Sequence, residues 1–276
     1  MVHSESSAGA GTCTAPICTL ANRRCQSGLG YHVASQRTHH TKQFRRAMVN
    51  VQDRIEWRVP VGTETTAAVY EPATAAGRAA LFVCAHGAGG HMDDSGMRKL
   101  AEQLRGRGIG VVRFNFPYRE KGVRAPDPLP RLMDCFAAVA AHARREIQAD
   151  LLIIGGRSMG GRAASMLAAE GFACDALLLL AYPLHPAGKP EQLRDAHLAR
   201  IEVSVLCLNG TRDSLCRRDL MDKVVAGLPG RWTMHWLEAA DHGFHVPRTS
   251  GRSDGDVLNE IGEVSERWRA TLAPHR

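Results

Sequence analysis

Aromatic side chains are scarce in this sequence, at 5% of residues, while alanine and glycine are abundant. Small residues suit helices laid closely on a sheet better than the ring-filled core of a β-sandwich. No apolar run reaches the roughly 20 residues of a membrane-spanning helix, so a soluble chain with no membrane partner is expected. Lysine is rare too, with five against 30 arginines, a bias that GC-rich coding sequences tend to produce. The eight cysteines form no C-x-x-C pair, and Cys84 and Cys207 sit inside apolar runs. Scattered thiols in a chain of 276 residues point to a reducing compartment, hence a cytoplasmic location, rather than a disulfide framework. Cys18, Cys25, His32, His39 and His40 fit no zinc spacing, so no metal is expected.

The formal net charge of +7 does not imply a nucleic-acid partner, because of where it lies. Residues 1–47 hold Arg23, Arg24, Arg37, Lys42, Arg45 and Arg46 against the single acid Glu5, leaving only +2 for the remainder. A nearly neutral folded part lacks the basic stripe that a phosphate backbone requires. The same 47 residues show no hydrophobic periodicity, and their best apolar stretch, around Ala15 to Ala21, is broken by Pro16 and Thr19. Their Arg-rich, acid-poor character loosely resembles a mitochondrial transit peptide. The simpler expectation is a disordered or non-native extension, with the mature protein starting near Met48 and residues 48–276 forming one domain. An intact mass of the natively expressed protein checks this; a product beginning at Met1 contradicts it.

From residue 48, strand and helix patterns alternate. Arg54 to Val59 and Thr65 to Tyr70 read as two edge strands. Ala80 to Ala85 (ALFVCA) is a continuous apolar run ended by His86-Gly87, which marks a buried parallel strand. Met97 to Arg107 is amphipathic and stops at Gly108, and Ile109 to Phe114 is the next strand. Leu129 to Ile147 reads as a helix, Leu151 to Ile154 as a strand, Gly160 to Ala169 as a helix, and Ala176 to Ala181 as a buried strand. Val203 to Leu208, helix Ser214 to Leu228, Trp232 to Leu237 and a closing helix from about Val257 to Leu272 complete the series. The alternation implies an α/β fold, a mostly parallel sheet covered by helices on both faces, with function beyond the carboxyl ends of the strands. Residues 183–202 leave room for a loop and one short helix at most, so only a minimal lid is expected.

The chemistry concentrates in three of those loops. Gly156-Arg157-Ser158-Met159-Gly160-Gly161 follows a strand and opens a helix, the setting of a G-x-S-x-G nucleophile elbow, with a glycine-rich turn capped by Ser158 as the plainer reading. A serine hydroxyl attacks well only when a neighbouring base removes its proton. After the last strand, Ala240-Asp241-His242-Gly243-Phe244-His245 offers His242 as that base, and His245 stands as the alternative. VLCLNGTRD delivers Asp213 as the orienting acid, although an aspartate there can equally cap a helix. The chain order Ser158, Asp213, His242 is the one such a fold requires. Backbone N–H donors for the developing oxyanion are assigned to Met159, after the nucleophile, and to Ala88, in the loop His86-Gly87-Ala88-Gly89-Gly90.

HGAGG, FNFPY, GGRSMGGRAASM, YPLHPAGKPEQLRDAHL and GTRD together resemble the α/β-hydrolase domain of the family that includes the third subunit of the non-specific lethal chromatin complex, a testis-expressed relative and many bacterial proteins. More distantly the chain is similar to dienelactone hydrolases. The resemblance covers roughly Leu81 to Phe244 and implies an α/β-hydrolase fold with Ser158, Asp213 and His242 as a triad. It brings no substrate, and it carries an alternative, since the chromatin-complex member is a partner protein: a non-catalytic interaction scaffold. The presence of all three triad residues favours the enzyme. The expectation is therefore a cofactor-free serine hydrolase acting on a small-molecule acyl substrate, with a protein partner left open. Tyr118, Tyr182, His185 and Arg194 are expected, by position alone, to flank the substrate pocket, and each can equally be a packing group or make a local hydrogen bond. Arg157 places a cation beside the nucleophile, where it can favour an acidic substrate group, with a surface salt bridge as the plainer reading.

Overall fold

The computed structural model describes residues 54–77 and 79–273; the N-terminal extension and its Cys/His group lie outside these. Eight strands form one sheet in the order β1-β2-β4-β3-β5-β6-β7-β8. Their ranges are β1 Ile55–Val61, β2 Glu64–Glu71, β3 Ala80–Ala85, β4 Ile109–Phe114, β5 Leu151–Arg157, β6 Ala176–Leu180, β7 Ser204–Gly210 and β8 Trp232–Leu237. Pairing is parallel from β4 through β8 and antiparallel for β1–β2 and β2–β4. Only β1 is an edge of this pair: β2 hydrogen-bonds to β4 as well, so the expectation of two edge strands holds for the first alone.

Helices α1 Ser95–Arg105, α2 Pro117–Glu120, α3 Leu129–Glu146, α4 Met159–Ala169, α5 Arg218–Ala226 and α6 Asp254–Ala270 cover both faces. The two faces have separate cores, and the pleat sorts the strand residues between them. Leu81, Val83 and Ala85 of β3 point to the side of α3 and α4, while Ala80, Phe82 and Cys84 point to the side of α1 and α6. Alpha1 buries Met97, Leu100, Ala101 and Leu104, the i, i+3, i+4, i+7 stripe that a helix lying on a sheet needs.

Several boundaries differ from the periodicity and α2 has no counterpart in it, and two of the differences shape the site. Beta5 continues past Ile154 to Arg157, because Gly155 and Gly156 pair with Leu178 and Leu179 where no side chain fits: a Cβ on Gly155 would lie 1.9 Å from the Leu178 carbonyl oxygen. Alpha5 begins at Arg218 rather than Ser214, because Asp213 accepts the Leu215 N–H on its own side chain at 2.8 Å and holds the chain in a turn. Between β6 and β7, residues 183–202 contain a single 3-10 turn, Leu198–Arg200.

Candidate active site

Strand β5 ends in a backbone that few residues tolerate. Ser158 has φ 51° and ψ −114°, outside the regions open to ordinary side chains. Gly156 lies with its Cα hydrogens against β3, where a Cβ would stand 2.3 Å from the Ala85 carbonyl oxygen. At Gly160 the same distance would be 2.6 Å. The two glycines let β5 and α4 crowd against β3, and the tight turn between them lifts Ser158 above the sheet. The Ser158 N–H still pairs with Leu180 at 2.8 Å, so the turn is tied to β6.

Three loops at the carboxyl edge meet here. Ser158 Oγ lies 2.9 Å from His242 Nε2, and His242 Nδ1 lies 2.9 and 2.8 Å from the two oxygens of Asp213. The Asp213 side chain is fully buried, while that of His242 is 26% exposed, so the imidazole is open to solvent on one side and held by a dry carboxylate on the other. Nδ1 facing an ionised carboxylate carries the proton, which leaves Nε2 as the acceptor toward the serine hydroxyl. Asp213 accepts two further hydrogen bonds, from Asn209 Nδ2 at 3.2 Å and from the Leu215 N–H at 2.8 Å. It orients the histidine and braces a turn but caps no helix, since the N-cap of α5 is Arg217. His245 is 70% exposed and bonds Asp254 of α6 at 2.7 Å, turned away from this chain of contacts.

Ala88 lines the cleft with Ser158 and His242. Met159 opens α4, so its N–H is among the first-turn amides that have no partner within the helix. The loop carrying Ala88 is set by a residue that the sequence showed only as the start of a glycine run. His86 is fully buried and accepts the Phe116 N–H at Nε2, 3.2 Å away. Its proton is therefore on Nδ1, which donates to the Gly87 carbonyl at 2.8 Å. Gly90 N–H donates to the same carbonyl at 3.1 Å. Because a trans peptide points its C=O and N–H in opposite directions, fixing the Gly87 carbonyl also fixes the Ala88 N–H. Burial keeps the His86 ring neutral, with its pKa lowered to about 4.

The cleft has a volume of about 470 Å³, bounded by the 86–90 loop, Asp94, Met97, Arg157 and Leu215 around the Ser158–His242 pair. Tyr118, Tyr182 and His185 stand behind it rather than on its wall, which corrects the expectation that they flank a substrate. Tyr118 is 2% exposed and packs its ring against His86 and Phe116. Tyr182 is fully buried, its hydroxyl donating to the Arg194 carbonyl at 2.6 Å and its backbone paired with the Asn209 side chain. His185 accepts the Arg217 N–H at 3.1 Å and so joins the β6–β7 loop to the start of α5. Tyr182 and His185 satisfy buried backbone partners and Tyr118 is a ring packed in the core, roles that position along the chain does not distinguish from substrate contact. Asn209 has a role that the sequence does not reveal. It ties the end of β6 to Asp213, and its only sequence signal is a polar residue at the end of an apolar strand.

The described cysteines are free and buried, and burial pushes the Cys84 and Cys135 thiols up to about 12. They are inert packing groups. Among the described residues no group of His, Cys, Asp and Glu is arranged to hold a metal ion, and no helix is long and apolar enough to cross a membrane.

A mostly parallel eight-stranded sheet with its serine on the turn after β5, between two helical layers, defines the α/β-hydrolase class of fold. Residues 78–270 match the model of the alpha/beta hydrolase domain family, and the chain belongs to that family. Solved structures share the architecture at low identity. An alpha-beta serine hydrolase homologue from Coxiella burnetii is 20% identical with a TM-score of 0.62, over 79% of this chain and 98% of that one. A dienelactone hydrolase from Anabaena variabilis is 18% identical with a TM-score of 0.63, over 81% and 99%. A lidless serine hydrolase from Xanthomonas campestris is 20% identical with a TM-score of 0.63, over 81% and 97%.

Proposed function

We propose that this protein is a serine hydrolase cleaving a carboxylic ester, thioester or lactone through an acyl-enzyme on Ser158. The observation that carries the reading is the unbroken hydrogen-bonded chain from Ser158 Oγ through His242 to buried Asp213. Ser158 Oγ attacks the carbonyl carbon as His242 Nε2 takes its proton, and Asp213 holds the resulting imidazolium upright without itself accepting the proton. The carbonyl oxygen, now negative, is met by the N–H groups of Met159 and Ala88; a single such donor is worth on the order of a hundredfold to a thousandfold in rate. His242 then gives its proton to the leaving oxygen or sulfur. A water activated by the same imidazole hydrolyses the acyl-enzyme and returns Ser158 to its starting state. No step requires a cofactor.

The cleft favours a small or exposed acyl group, since its volume is about 470 Å³ and the β6–β7 segment contributes only one short 3-10 turn as cover. The lidless Xanthomonas hydrolase supports the same reading. A true lipase, which needs a large apolar lid, fits poorly. The test is hydrolysis of p-nitrophenyl esters of increasing chain length and of a matching thioester by wild type and Ser158→Ala. Short acyl chains are expected to turn over fastest, with activity abolished in the variant. Equal hydrolysis by Ser158→Ala overturns the reading. Running the same reaction with an added alcohol and analysing the products separates hydrolysis from acyl transfer.

A further inference from the structure

Ser158 and His242 come from strands β5 and β8, which β6 and β7 separate in the sheet. Something must hold the histidine loop to the elbow across that gap. The loop itself is stiff: Asp241 Oδ1 accepts the N–H groups of Gly243 and His245 at 2.7 and 2.9 Å, and the Asp241 N–H donates to the His245 carbonyl. It therefore moves as a unit, positioned by its outside ties. The Arg212 N–H donates to Ala240 at 2.9 Å from the β7 side, and Asp254 of α6 bonds His245 and Val246. A third tie comes from the nucleophile's own strand. Arg157, the residue before Ser158, donates from Nη2 to the His242 carbonyl at 3.1 Å and lays its guanidinium 5.6 Å from the centre of the Phe244 ring.

Arg157 has carboxylates within electrostatic reach, Asp94, Asp213 and Asp241, yet among the described residues it makes an ion pair with none of them. Its best hydrogen bond goes to a neutral backbone carbonyl, the one belonging to His242. A planar cation that stacks and donates in one orientation suits this geometry, and a lysine amine does so less well. The mixed charges around it, with Lys99, His245 and Asp254 lining the adjoining cavity, do not select an anionic ligand.

We infer that Arg157 is a positioning residue: it clamps the histidine loop to the nucleophile elbow, so that His242 is held by its ring through Asp213 and by its backbone through Arg157. The inference rests on the triad reading above. Misplacing a reacting group by about 1 Å costs on the order of a hundredfold in rate. Arg157→Met is therefore expected to lower kcat by about tenfold to a hundredfold on p-nitrophenyl acetate while KM stays within about threefold. Arg157→Lys should keep an intermediate rate, and guanidinium at tens of millimolar should restore part of the activity of Arg157→Ala. A readout independent of turnover is the low-field proton signal of the His242 Nδ1–H hydrogen bond, sharp in wild type and broadened in Arg157→Met. Folded Arg157→Met with wild-type kcat and an unchanged signal overturns the inference, as does a defect confined to KM, which would make Arg157 a substrate contact. Should Arg157→Met fail to fold, Arg157→Lys decides: a wild-type kcat and signal there also overturn it. If wild type hydrolyses no ester, the functional reading fails, and the proton signal alone still judges the clamp.

Discussion

The two ends of the same sheet are built to different rules. At the amino ends of the strands, turns that need a left-handed backbone use glycine: Gly108 at φ +79° enters β4, and Gly171 at φ +87° follows α4. At the carboxyl ends, four residues with side chains take positive φ: Ser158, Ala181, Ala239 and Phe244, at 51°, 50°, 59° and 66°. Among the described residues these are all the non-glycine cases. Each such conformation costs about 1–3 kcal/mol and persists only where its surroundings impose it. The carboxyl end also buries the hydrogen-bonded pair Asn209 and Asp213 and, separately, His86 on its own backbone partners. One end of the sheet is relaxed, and the other stores strain and desolvated polar groups where the proposed chemistry occurs.

Substitutions can break this contrast, and the largest effect belongs to the nucleophile. Ser158→Ala should lower kcat by on the order of a thousandfold to a millionfold with little change in thermal unfolding, as measured by steady-state kinetics and calorimetry. Asp213→Asn should cost about a thousandfold to ten-thousandfold in kcat, because an amide favours the wrong tautomer of His242. A loss of less than tenfold would mean that the buried carboxylate only braces the Leu215 turn.

Acid should find the same end of the molecule. His86 is held neutral, with a pKa of about 4 against the usual 6.5, so the unfolded chain takes up a proton that the folded chain refuses. Stability from this source is intact above about pH 6.5 and is lost as pH falls toward about 4, by on the order of 3 kcal/mol. Urea unfolding at pH 7 and pH 4.5 measures the loss, and His86→Gln should shrink it. The smallest effects sharpen the contrast most, because their signs are opposite. Ser158→Gly should stabilise the fold by about 1 kcal/mol as strain is released, while Gly108→Ala at the relaxed end should destabilise it by about 1–2 kcal/mol. Two substitutions of equal sign would erase the distinction between the ends.

Apolar runs and periodicity place the eight strands and every helix but α2, since ALFVCA or ALLLL can be dry on both faces only inside a covered parallel sheet. The elbow, Asp213 and His242 were readable because their residue types fall in three loops whose order the fold restricts. What escaped was whatever depends on a partner distant in the chain. Asn209 and His86 act through contacts with Tyr182 and Phe116, and Gly210 is small because a Cβ would lie 2.1 Å from the Ala240 carbonyl oxygen. For Tyr118, Tyr182 and His185 the choice between pocket wall and packing or local hydrogen bonding is open in the sequence for the same reason: position along the chain says nothing about which way a side chain points. Arg157 could be seen beside the nucleophile, but its reach to His242 could not.

The most direct test is to treat the folded protein with a fluorophosphonate, measure the intact mass, and map the modified peptide. A single adduct on Ser158, absent from Ser158→Ala, is the expected result. No adduct on folded wild type, or one that persists in Ser158→Ala, would contradict the assignment of Ser158 as an activated nucleophile.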